Sequence, residues 1–247
     1  MKKAHMLVAI ALATTAFLPD AHAQSGPSPR TLNWDWLEAA YEVAYYSFYS
    51  EEIRDKSQWA ARARANIALF PNLHVTGSYD KQHFDAAGGN LHLQENLIFS
   101  RCGAGTHADF GPGSALVLEV VREEAGRRSH IEESGSQNQD TKAVIRGFGY
   151  YAGIRHYLGD TELELGYERS DLKDEIPLAG GDDPFRVKVR LGTLSAQLTA
   201  PLSKRLSATM RFEQLASRAK VDEDARNYHS DSSGHFENLL FGLRFAL

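Results

Sequence analysis

The chain has 247 residues, a net charge of −5 and a single cysteine, Cys102. The mild acidity provides no basic patch for nucleic acid. One thiol allows no intramolecular disulfide, and no stretch past the N-terminus approaches ~18 consecutive apolar residues, which excludes helical membrane spans.

Lys2 and Lys3 form a positive start, Met6 to Leu18 an uncharged apolar run, and Ala21-His22-Ala23 a small-x-small cleavage site. Residues 1–23 therefore read as a secretory signal peptide, with the mature chain starting at Gln24. No cysteine follows the cleavage site, which argues against a lipoprotein. Residues 24–30 (QSGPSPR) are a flexible lead, and 31–247 form one domain.

From there the chain alternates apolar and polar positions. The pattern predicts ten strands, roughly 32–48, 58–70, 73–83, 91–108, 114–124, 142–157, 161–169, 186–199, 205–219 and 236–247. Eight would follow if the first two were one irregular entry segment. Short turns (70–73, 109–113, 158–160, 200–204) alternate with longer polar connections (50–57, 84–90, 124–141, 170–185, 220–235). In the second strand Ala61, Ala63, Ala65, Ile67 and Leu69 oppose Arg62, Arg64 and Asn66. In the seventh Leu163, Leu165 and Tyr167 oppose Glu162, Glu164 and Glu168. In the eighth Val187, Val189 and Leu191 oppose Lys188 and Arg190. Aromatic residues near strand ends, among them Trp34, Trp36, Phe70, Phe84 and Phe110, suit interfacial girdles. Cys102 reads as a buried or lipid-facing small apolar residue.

The last strand carries Leu239, Phe241, Leu243, Phe245 and Leu247 on one face and Leu240, Gly242, Arg244 and Ala246 on the other. A closing strand between acyl chains and a polar lumen needs that pattern. With the leader and the turn alternation, it makes the chain resemble the small single-chain outer-membrane β-barrel proteins of the OmpA-transmembrane or OmpX type. The resemblance implies an all-β fold, a closed antiparallel up-and-down transmembrane barrel, and residence in the outer membrane. It also implies that Phe241, Leu243, Phe245 and Leu247 act as the C-terminal assembly signal. Expected partners are outer-membrane lipid and lipopolysaccharide, the barrel assembly machinery and an unidentified extracellular ligand.

The face assignment predicts an interior charge network of Glu38, Glu42, Arg62, Arg64, Glu119, Glu123, Arg155, Glu162, Glu164, Lys188, Arg190, Arg211, Glu213 and Arg244, with Asp80 and Glu168 added. Glu38 and Glu42 are expected beside Arg62, Arg64 and Arg244. The Glu162–Glu168 row is expected between Arg155 and Lys188/Arg190. An isolated buried ion costs several kcal/mol, so such charges must pair. A barrel of about this size is nearly filled by its own side chains. The expectation is a salt-bridged plug and a structural or surface-interaction role. A narrow porin-like channel is the alternative, and a hydrolase with a rim active site the second alternative.

Acidic clusters at Asp171–Asp183 and Asp222–Asp224 read as solvated loops, because no calcium-loop spacing is present. His229, Ser230, Asp231 and His235 contain the parts of nucleophilic catalysis, but neighbours in sequence seldom form a triad. His74, His92 and His107 read as interior polar groups, since they lack paired metal-ligand spacing. No catalytic residue, cofactor or metal is expected.

Overall fold

The computed structural model describes residues 32–46, 54–88, 91–133, 139–176, 185–223 and 228–247. The signal peptide and the flexible lead assigned from sequence lie outside the described residues. Ten strands run in order: β1 (Trp36–Tyr46), β2 (Arg54–Phe70), β3 (Leu73–Gly88), β4 (Leu91–Gly111), β5 (Ser114–Glu133), β6 (Gln139–Leu158), β7 (Thr161–Ile176), β8 (Phe185–Pro201), β9 (Leu206–Glu223) and β10 (Tyr228–Ala246). Each pairs antiparallel with its neighbours in sequence, and β1 pairs with β10, so the sheet is a closed barrel without an edge. Ten strands, not eight, is the count.

At one end the strands turn tightly. Pro71-Asn72 joins β2 to β3, Pro112-Gly113 joins β4 to β5, and Gly159-Asp160 joins β6 to β7. Gly113 and Gly159 have φ of 68° and 65°, a left-handed backbone that glycine adopts without a Cβ clash. Both ends of the barrel ladder, at Trp36 and Ala246, lie opposite each other at this same end.

At the other end the strands run well past the sequence-derived boundaries. Residues expected in the connection 124–141 continue the ladder between β5 and β6 as far as Ile131 opposite Gln139. Of 170–185, residues 170–176 belong to β7, and 228–235 belongs to β10. The 84–90 connection is largely strand, β3 reaching Gly88 and β4 restarting at Leu91. The reason is that these segments stand beyond the apolar belt. There the outer face meets water and the apolar alternation fades, while the backbone pairing continues. β1, by contrast, starts at Trp36 instead of 32, because residues 32–35 turn inward.

The outer surface carries one apolar belt. On β5 the outward side chains are Leu116, Leu118 and Val120, followed by Arg122 and Glu124. On β7 they are Leu165 and Tyr167, followed by Arg169, Asp171 and Lys173. Half-exposed Tyr41, Tyr79, Tyr150 and Tyr167 sit toward its upper margin, and Phe70 and Phe110 at the tight-turn end. On β6 the belt runs from Leu158 to Phe148. Ten residues at about 3.3 Å each, tilted roughly 40°, span about 25 Å, the height of the apolar band of a membrane barrel. Cys102 is exposed on this outer face.

Candidate functional site

The interior is the chemically dense part of the molecule, and strand parity puts it there. Glu38 of β1 lies directly between Arg64 of β2 and Arg244 of β10 in the ladder. Arg244 Nε donates to Glu38 Oε2 at 3.1 Å, and Arg64 Nη1 stands 3.7 Å from Glu38 Oε1. Arg244 also donates to Glu162 at 3.2 Å, and Arg155 clamps Glu162 through Nε and Nη2, each at 2.9 Å. Further up, Arg62 joins Asp80 (2.7 Å) and Glu213 (2.6 Å), and Arg211 donates to Glu213 at 2.7 Å. Glu164 takes the Tyr151 hydroxyl at 2.8 Å and faces Arg211 at 3.6 Å. Gln197 links these groups, donating to Glu38 at 2.9 Å and accepting from Arg211 at 3.2 Å and Arg64 at 3.3 Å. Near the top of the belt Arg101 joins Glu123 (2.7 Å) and Glu168, and the Ser170 hydroxyl donates to Glu123 at 2.9 Å.

Small residues make this filling fit. A Cβ at Gly153 or Gly166 would collide with the Tyr151 ring, and one at Gly105 would collide with His74. These glycines let bulky side chains lie flat across neighbouring strands. Among the described side chains, Arg62, Arg64, Arg101, Tyr151 and Arg211 border a cavity of about 40 Å³. That is room for about three water molecules.

The tight-turn mouth is closed by the segment before β1, which carries no sequence signal for this role. Trp34 stacks on His107 at a ring separation of 3.7 Å, with His74 beyond it at 5.3 Å and the Arg155 guanidinium 4.3 Å over its face. Arg155 Nη2 donates to the Asn33 carbonyl, the Asn66 amide to the Trp34 carbonyl, and the Ala68 N–H to Asp35 Oδ1. Trp36 is buried beneath Arg244, whose guanidinium lies 4.2 Å from its ring. Trp34 and Trp36 are therefore interior plug residues and not girdle aromatics. Phe84, also expected in a girdle, is buried as well.

The structure brings together Glu38, Arg62, Arg64, Glu123, Arg155, Glu162, Glu164, Arg211, Glu213 and Arg244, with Asp80 and Glu168. Glu119 stands slightly apart, bonded to His74 at 3.0 Å. Glu42 holds its ladder place opposite Leu240 and Ala60, and its side chain is outside those described. Lys188 and Arg190 are corrected: both point outward. Ser195, Gln197 and Thr199 fix the inward parity of β8, and no bulge interrupts that strand. The even positions therefore face out, above the apolar belt, where Arg190 meets Asp171 at 3.2 Å. His74 and His107 are interior, whereas His92 is on the outer face with Asp85 at 2.8 Å. Sequence reading missed Arg101, Gln197, Tyr151 and the Trp34 stack. An arginine on β4 facing the predicted acidic row was the available signal for the first.

His229, Ser230, Asp231 and His235 lie on β10, with His229 opposite Asp222 and Asp231 opposite Lys220; their side chains are outside those described. Among the described residues no group of three or more His, Cys, Asp or Glu is placed to hold a metal ion. Phe241, Leu243, Phe245 and Leu247 are exposed on the outer belt, while Leu240 and Arg244 point inward and are buried.

A closed antiparallel barrel, apolar outside and ionic inside, has the architecture of the outer-membrane β-barrel class. No protein-family model matches the sequence, and no curated protein matches it either. Among solved structures, the translocator domain of autotransporter NalP from Neisseria meningitidis is 14% identical, with 99% of this chain and 96% of that one covered and a TM-score of 0.46. The transport unit of autotransporter AIDA-I from Escherichia coli is 10% identical, with 97% of each covered and a TM-score of 0.49. Ail of Yersinia pestis is 9% identical over 87% of this chain and 99% of that one, at 0.38. At such identities the likeness is one of barrel form alone.

Proposed function

We propose that this chain is an integral outer-membrane barrel with a structural or surface-interaction role, closed to solutes and without catalytic activity. The carrying observation is the interior. Among the described residues, nearly balanced guanidinium and carboxylate groups pair across the lumen around a cavity of about 40 Å³, and the Trp34 strap covers one mouth. A passive pore requires a continuous aqueous path, and a filled lumen has none. The apolar belt supports membrane residence, and the lipid-facing Phe241, Leu243, Phe245 and Leu247 suit recognition by the barrel assembly machinery. The strands extending beyond the belt form a rigid platform for contacts outside the membrane.

Planar-bilayer recording of the refolded barrel tests this reading. The expected result is no steady conductance at moderate voltage. A stable conductance of general-porin size would overturn the closed reading and favour a narrow channel.

A further inference from the structure

Resting on the outer-membrane reading above, the geometry points to a second site: an outward groove on β3–β6 that binds the phosphorylated saccharide headgroup of an outer-leaflet glycolipid. The ladder defines it row by row. Lys81, Ile98, Gly126 and Val144 lie abreast, and the row above holds His83, Asn96, Arg128 and Lys142. All of these but His83 line a groove of about 590 Å³ on the outer face.

Three observations select the ligand. First, Arg128 and Lys142 are direct cross-strand partners. Like charges in that position repel, and among the described residues neither has a carboxylate within ion-pairing distance. The groove's own carboxylate, Glu124, is engaged by Arg146 at 3.0 Å. The carboxylates above it, Asp140 and Glu132, are bonded to His130 and His92. Among the described side chains the groove is therefore left cationic, with Lys81 against Trp59 at its side. Second, Gly126 leaves the middle of the floor bare: a Cβ there meets nothing within 4 Å. Between Ile98 and Val144 this makes a shallow apolar floor under a cationic rim, which suits a sugar ring carrying phosphate groups. Third, the height is set by the belt. The Gly126 row stands four residues above the Phe148 row, about 10 Å beyond the hydrocarbon edge at roughly 3.3 Å per residue and 40° tilt. Acyl chains do not reach that level; the saccharide of a glycolipid does.

The test uses the full barrel in detergent micelles, so it is independent of where the protein resides in the cell. Four probes are titrated: a glycolipid with a phosphorylated core saccharide, the same glycolipid after removal of the core phosphates, its lipid A portion alone, and phosphatidylglycerol. The first is expected to bind, and the other three about tenfold or more weakly. Arg128→Glu and Lys142→Glu are each expected to weaken it about tenfold, as loss of a charge-assisted phosphate contact does. Gly126→Trp should fill the groove and weaken binding similarly while keeping all cations. Unchanged heat-modifiable mobility shows that each variant is folded. Equal binding of lipid A alone or phosphatidylglycerol, or wild-type affinity in the folded Gly126→Trp and Arg128→Glu variants, overturns the site. Failure of the protein to fractionate with outer membranes would instead overturn the location, leaving the micelle result to stand on its own.

Discussion

Individual residues in this barrel act through what they are paired with. Glu213 accepts from both Arg62 and Arg211. Its removal leaves two guanidinium groups in the lumen without that carboxylate, and breaking a buried pair costs about 3–5 kcal/mol. Glu213→Leu should therefore lower unfolding free energy in lipid by that order, measured by urea titration. Adding Arg211→Met to Glu213→Leu should recover part of it, since Arg62 keeps Asp80 at 2.7 Å and Glu164 keeps the Tyr151 hydroxyl at 2.8 Å. A different pairing stands outside the membrane, where Asp85, His92, Glu132, His130 and Asp140 form an alternating carboxylate–imidazole chain across β3–β6. Hydrogen bonds to Asp140 and then to Glu132 raise His130 above its ordinary 6.5, and bonds to His92 and His130 lower Glu132 below 4.5. The His130 contribution is complete below 6.5 and is lost as pH rises through its raised value. The Glu132 contribution is complete above 4.5 and is lost as pH falls through its lowered value. Amide protection factors, exchange rates taken relative to the unstructured chain at each pH, should thus be highest in the outer ends of β5 and β6 between those limits. A flat profile from pH 4 to 8 would contradict the chain.

At the scale of elements, the strands from β2 to β10 are each two strands in series, one within the apolar belt and one beyond it, whereas β1 spans only Trp36–Tyr46. In β10, Leu243 lies mid-belt opposite Ala39 and Ala208, while Leu247 lies at the tight-turn margin. A cationic side chain at mid-membrane costs roughly 2–4 kcal/mol and near the interface about 0–1. Leu243→Arg should destabilise the folded barrel by the larger amount and Leu247→Arg by the smaller, read from unfolding in lipid vesicles. Equal effects would mean the belt is misplaced along the strand. The same division explains what was readable beforehand. Within the belt, the alternation of Leu116, Leu118 and Val120 with Glu119 and Val121 marks both faces of β5. Beyond it, Arg127 to Glu133 alternate nothing that a sequence reader can use, so they resemble a loop although their backbones are paired. Lys188 and Arg190 mislead for the same reason. Val187, Val189 and Leu191 look like a lipid face only if the belt is assumed to reach that high.

On the scale of the whole molecule, closure converts a set of half-apolar strands into a container, whose described interior is crossed by paired charges. The chain's own residues determined much of this directly: period-2 alternation, even strand number, tight turns at one end and charges of both signs on the inner positions. Those features are local, because the side-chain period of a strand is two and each face has one solvent. Only the tertiary structure decided which inward ions meet, since Arg62 and Glu213 lie 151 positions apart and touch across the lumen. It alone decided that Trp34 leaves the ladder and stacks on His107, a contact that exists only once β2, β4 and β6 curve around it. It alone placed Lys81, Arg128 and Lys142 on one groove, because register between four strands is a property of the closed sheet and is not written in any one of them.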